Sequence, residues 1–320
     1  MILRFGSLFL LAQIASAQVV TTVTCEGGSA TAGLDYKSAP SGPVPPSGIR
    51  VTAFESGSWY TALANLQLSA LAAGATATVD ASANATMSVG TISASSGVTL
   101  LLTFSSAQPT AGSVTIGASG TQAGIVPSAA YSVDLGADGS YEFTSPTGWL
   151  GQVQGFTIPV VLGAVPLKVR LNLWSSVSVP LPVSSASAYV QVVATFASSP
   201  ASWFAVEGAP CGAALASQVV RTASTEFRFQ AAGAPVTPHG FFVFGATPLQ
   251  VVVPPTNCKL LTDILIPVQI PVLADGSAAL KFAIPNTVTG TVRAQFLAGT
   301  IDAQNVERWW TSNLIQIVVP

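Results

Sequence analysis

Charge is what this 320-residue chain has least of. Asp, Glu, Lys and Arg make up 8% of it, about a third of the usual share. It has one histidine, His239, and three cysteines, Cys25, Cys211 and Cys258. Each scarcity excludes something. The 11 Lys and Arg form no basic run, so nothing can neutralise a phosphate backbone and nucleic acid is excluded as a partner. Three scattered cysteines and one histidine lack metal-ligand spacing, so neither a transition-metal site nor a cofactor is expected. A Ser-His-Asp triad would have to use His239, which sits in a Pro238-His239-Gly240 turn. No Gly-x-Ser-x-Gly elbow accompanies it, and an exposed loop imidazole is the expected role.

Long apolar runs are missing too. The uncharged stretch 81–133 is interrupted throughout by Gly, Ser, Thr and Pro, so it is no membrane-spanning helix. Aromatic residues are too few and too irregular for the girdles of an outer-membrane barrel. No segment sustains a 3.6-residue apolar period; only in 61–73 (TALANLQLSALAA) does helix compete with strand.

What remains is a chain of small and β-branched residues, which suit sheets. It opens with Arg4, an apolar stretch over 5–14 and Ala15-Ser16-Ala17, the pattern of a cleaved signal peptide over 1–17. Mature protein then begins at Gln18. Export follows, to the extracellular space, the cell surface or the periplasm, and the mature chain has no membrane span. Cell-surface or matrix polymers are the partners an exported chain of this kind would meet.

After a short β-prone run at 19–24, the Gly/Ser/Pro-rich stretch 27–48 is expected to be extended and unpaired. The first firm strand begins at Ile49. Short apolar runs separated by turn residues then continue to about Ala205. In the clearest, Leu167, Val169, Leu171 and Leu173 share one face, while Lys168, Arg170, Asn172 and Trp174 share the other. Two segments, 131–143 and 268–282, each carry Ala-Asp-Gly-Ser at the tip and read as hairpins with two-residue type I′ turns. The sequence SSPASW at 198–203 is the expected domain boundary. The fold class is therefore all-β: two β-sandwich domains in tandem, immunoglobulin-like or jelly-roll-like, over 49–203 and 204–320. An N-terminal segment over 18–48 precedes them.

In an exported chain a disulfide is the default for cysteines in one domain. Cys211 and Cys258 fit that reading, against two free buried thiols, and closing their loop is worth about 4 kcal/mol. Cys25 is left free or pairs with another chain.

Beyond these features, the layout resembles a family of uncharacterised secreted β-sandwich proteins found in planctomycete-type bacteria. The resemblance rests on Val133-Asp134-Leu135-Gly136 before Asp138-Gly139, and on Gly208-Ala209-Pro210-Cys211 with Asn257-Cys258-Lys259. It rests also on Ile284-Pro285-Asn286 and on Val292-Arg293-Ala294-Gln295 leading to Thr311-Ser312-Asn313. It covers 211–320 best and 98–205 loosely. It implies export and an all-β fold, and it implies no activity.

No catalytic set is expected, and the chain is read as a non-enzyme. The acidic residues, among them Glu26, Glu55, Asp80, Glu207 and Asp302, are dispersed and mostly beside turns. Glycoside hydrolysis needs two carboxylates brought together by folding. Asp134, Asp138 and Glu142 carry oxygen ligands of the kind calcium takes. A tight hairpin would instead send Asp134 and Glu142 to opposite faces. Asn84-Ala85-Thr86 matches a glycosylation acceptor, which carries no weight in a bacterial chain. Of the six tryptophans, Trp174 and Trp310 are the candidates for stacking on a sugar ring. Trp309 and Trp310 are adjacent, so a strand sends one inward and one outward. The leading reading is a secreted structural, adhesive or display protein. Carbohydrate binding through an exposed Trp is the alternative, and a carboxylate-dependent hydrolase stands third.

Overall fold

The computed structural model describes residues 19–57, 60–85, 91–124, 127–145, 154–163, 165–180, 184–198, 203–237 and 239–320. The signal-peptide segment, Trp59, Trp149 and the middle of the expected boundary at 199–202 lie outside the described residues.

Regular structure in the described residues is all strand. Strands are numbered along the chain. Sheet I has 7 strands, in the order β10 (Phe143–Thr144), β9 (Pro127–Leu135), β12 (Leu167–Pro180), β7 (Thr91–Ser106), β1 (Val19–Ala32), β2 (Asp35–Ser38), with β3 (Gly42–Pro43) also on β1. Sheet II has 9. It begins β21 (Ala278–Pro285), β16 (Ser224–Ala232), β15 (Ala214–Arg221), β11 (Gln154–Leu162), β8 (Thr110–Gly124). It continues β13 (Ser184–Ala197), β6 (Gly74–Ala85), β5 (Tyr60–Leu71), β4 (Ile49–Gly57). Sheet III has 6, in the order β14 (Phe204–Glu207), β24 (Leu314–Val319), β22 (Gly290–Ile301), β17 (Gly240–Gly245), β20 (Ile266–Ile270), with β23 (Glu307–Thr311) also on β22. A ribbon of β18 (Pro248–Val253) and β19 (Cys258–Thr262) completes the set. Pairing is antiparallel throughout the three sheets.

Alternation decides which face each strand buries. In β12, Val169, Leu171 and Leu173 are buried and Trp174 is exposed, as the sequence pattern requires. The same alternation settles the contest over 61–73. Ala62, Ala64, Leu66 and Leu68 are buried at every second position, so the segment is strand β5. β5 pairs with β4 on one side and with β6 on the other.

Two hydrophobic cores result. In the first, sheet I packs on the β8–β13–β6–β5 part of sheet II through Leu100, Leu102, Phe104, Leu66, Ile116 and Val192. In the second, β16 and β21 of sheet II face sheet III across a cluster of phenylalanines. Phe229 lies 5.6 Å from Phe244 and 6.2 Å from Phe242, ring centre to ring centre. Sheet II runs through both cores. Its joint is the short pairing of β11 with β15, Val160 opposite Gln218 and Val161 opposite Ser217. At that joint Val161 belongs to the second core and Val220 to the first.

Three local expectations are corrected. The stretch beginning at Gly27 is not unpaired: β1 runs to Ala32 and pairs with β7 along its length, with a bulge between Cys25 and Gly27. β1 lies between β7 on one side and β2 and β3 on the other, so its backbone groups find partners on both sides. The 131–143 hairpin lacks a two-residue turn. Phe143 pairs with Val133, one step out of the expected register, and 136–142 is an irregular loop with positive φ at Gly136 (103°), Ala137 (56°) and Gly139 (93°). The segment 268–282 is no hairpin at all. β20 belongs to sheet III and β21 to sheet II, so this turn carries the chain from one sheet to the other across the second core.

Candidate functional site

The outer face of sheet III divides into a covered part and an open part. The ribbon covers the first. The Cys211–Cys258 disulfide ties it down (Cα–Cα 5.6 Å). Gln295, on the outer side of β22, accepts from the Leu261 backbone N–H at 2.9 Å and donates to the carbonyls of Lys259 and Ser312. That cover explains why Gln295 is fully buried although its alternation with Phe296 places it opposite the core.

Beyond the ribbon the face opens into a groove of about 490 Å³, within the roughly 300–1,000 Å³ of small-molecule sites. β23 pairs with the end of β22, with Trp309 opposite Gly299 and Glu307 opposite Ile301. Trp309 packs against Gly299. A Cβ there would sit 3.0 Å from the indole, so a side chain at Gly299 would displace the ring. Phe241 of β17 stands 6.2 Å away, its ring tilted 47° to Trp309. The two rings make an aromatic floor. Val236 and Ile301, both strongly exposed, form apolar edges. Thr237 Oγ1 donates to the Gly299 carbonyl at 2.6 Å and fixes one wall. Besides Thr237 and Thr300, the polar side chains on the groove are His239, Gln269 and Glu307. None of the three makes a hydrogen bond or ion pair with its side chain among the described residues.

Trp310, one residue on, points the other way and packs against Gly212; its Nε1 is buried with no partner among the described residues. The tryptophan that lines the groove is therefore Trp309. Strand parity announces that one of the pair faces outward; it does not say which.

Trp174 occupies a different place. It is 45% exposed on the outer face of sheet I, beside Gly97 in a shallow polar groove of about 450 Å³ bounded by Tyr36, Ser29, Thr99 and Asn172. Asn172 Nδ2 donates to the Tyr141 hydroxyl at 2.5 Å. Trp174 and Trp310 lie on different sheets and do not converge.

The acidic residues do come together, but around arginines. Arg170 donates to Glu26 (2.8 Å) and to the fully buried Asp134 (3.0 Å). Asp134 also accepts the backbone N–H groups of Asp138 and Gly139 at 3.1 and 3.0 Å. Arg228 of β16 pairs with Glu142 and Glu226 and donates to the Leu135 carbonyl. The 136–142 loop is thus clamped to the second core's strand. Asp138 caps the N–H of Ser140 at 2.8 Å, which holds its carboxyl below the usual range. The three calcium candidates therefore point to an arginine, a turn N–H and a second arginine. Among the described residues no group of three or more metal-ligating side chains assembles.

Cys25 is fully buried and unbridged, at the bulge of β1. Burial pushes its thiol pKa up, against a smaller opposing effect of the Gly27 N–H. Among the described residues no helix is long and apolar enough to cross a membrane. Comparison with known protein families, with curated proteins and with solved structures finds no match.

Proposed function

We propose that this is an exported protein of the extracellular space, the cell surface or the periplasm, with a non-catalytic structural, adhesive or display role. In this reading residues 1–17 are removed. The two cores are tandem β-sandwiches, immunoglobulin-like or jelly-roll-like, dividing near 203/204. Kinship with secreted β-sandwich proteins of planctomycete-type bacteria belongs to the same proposal.

The observation that supports it most is how the acidic side chains are spent. Of the thirteen in the chain, Glu307 alone has no hydrogen bond or ion pair among the described residues. The others accept from backbone N–H groups, from the Asn65 amide or the Tyr60 hydroxyl, or pair with lysine or arginine, which is work for the fold. Fractionating the producing cells and sequencing the exported chain tests the reading. Mature protein beginning at Gln18, inert toward a panel of polysaccharide and ester substrates, is the expected result. Retention of Met1, or turnover of any substrate, contradicts it.

Glycan binding is the second reading. The exposed Trp174 in its groove of small polar residues favours it, since an indole offers a sugar ring a broad apolar face.

A further inference from the structure

We propose that the groove on the outer face of sheet III, floored by Trp309 and Phe241 and edged by His239, Gln269 and Glu307, binds a neutral saccharide. This goes beyond a passive structural role, and it assigns a site other than Trp174.

The groove is amphipathic in the way a pyranose ring is. A pyranose presents C–H groups on its faces and hydroxyls around its rim. Trp309 and Phe241 supply the apolar floor, held at 6.2 Å and 47° by the Gly299 contact beneath the indole. At the rim a hydroxyl needs both donors and acceptors. Gln269 offers both, His239 offers one of each when neutral, and Glu307 accepts two. These side chains are unspent among the described residues, in a chain where the other carboxylates are engaged. A ligand hydroxyl would meet groups that have no competing protein partner.

Charge selects among sugars. Among the described residues that line the groove, Glu307 is the only carboxylate. A uronic acid or a sulfated sugar would bring a second negative charge against it, and like charges close together are unfavourable. A neutral hexose is not penalised. An organic cation would also suit two aromatic rings and a carboxylate. It would leave the donors of Gln269 and His239 unmatched, so the saccharide is the better fit.

The test uses the mature protein in affinity electrophoresis and pull-down. The probes are cellulose, chitin, xylan, mannan and β-1,3-glucan, with alginate and heparin as anionic sugars and choline as a competing cation. Retention by at least one neutral polysaccharide is expected, with no retention by the anionic ones and no competition by choline. Trp309→Ala should weaken retention by about tenfold or more, the scale of a buried aromatic anchor. Glu307→Gln, at an exposed position that leaves the fold untouched, should weaken it less. Trp174→Ala should leave it unchanged. An unaltered melting temperature in Glu307→Gln keeps the result interpretable if Trp309→Ala folds poorly. Loss of binding in Trp174→Ala alone overturns this site while sparing the second reading above. Competition by choline, or retention by none of the probes, overturns the proposal outright; the latter leaves the passive role standing.

Discussion

Cys25 shows how burial decides chemistry at the scale of one residue. Its thiol lies inside the first core, with its pKa raised by burial, so the reactive thiolate is scarce at neutral pH. Native protein is expected to leave Ellman's reagent unreacted, and denatured, unreduced protein to release one thiol's worth of colour. Fast reaction of native protein, or a dimer linked through Cys25 on a non-reducing gel, contradicts this. Acid should act through other residues. The Thr247 N–H, followed by that of Ala246, holds the Asp263 carboxyl below its usual range, and the Val306 N–H does so chiefly for Asp302. Both pKa values are lower in the folded chain than in the unfolded one. Their contribution is therefore present above about pH 4, the unfolded value, and is lost as pH falls through the depressed folded values. Melting temperature followed from pH 7 to pH 2 should drop below about pH 4, and Asp302→Asn should drop less steeply. A variant that tracks the parent throughout would contradict the assignment. The bridging pair Cys211 and Cys258 was expected from the sequence, on the reading of an exported chain with both cysteines in one domain. Trp309 was not, because the faces of β23 are set by the ribbon and by Gly212, contacts that no local pattern announces.

At the scale of elements, the loop 136–142 is a clamp. Arg228 reaches from β16 to Glu142 and to the Leu135 carbonyl, with Arg228 and Glu142 both largely buried. Removing the arginine strands Glu142 without its charge partner, and breaking a buried pair from one side costs on the order of 3–5 kcal/mol. Arg228→Ala should lower the urea midpoint accordingly, while Arg228→Met paired with Glu142→Leu should recover much of the loss. A change below about 1 kcal/mol, the scale of an exposed pair, would show that the clamp is ornamental to stability. The sequence marks both Asp-Gly turns but not their courses. A turn dipeptide fixes a local bend, and the direction the chain then takes depends on which sheet receives it. After Asp138 the chain folds back over Asp134 and Arg170. After Gly276 it leaves sheet III for sheet II.

For the whole molecule, the strands were legible from alternation, and the shared sheet was not. Pairing of β11 with β15 joins residues far apart in sequence over two positions, too short a contact to leave a pattern. The outcome is two cores with one sheet between them, the second carrying the aromatic groove on its far side. The disulfide lies within the second core's half and links nothing across the joint. Among the described residues, the β11–β15 pairing, the exchange of Val161 and Val220, the packing of β14 on β8 and β11 and the Arg228 clamp hold the halves together once the connector is cut. Limited proteolysis of the intact protein tests this most directly, with fragments identified by mass and then run on native gel filtration. Cleavage within 198–203 is expected first, giving two fragments that co-elute at the parent volume and separate on a denaturing gel without reductant. Cleavage that spares 198–203, or fragments that part on the native column, would contradict two cores sharing one sheet.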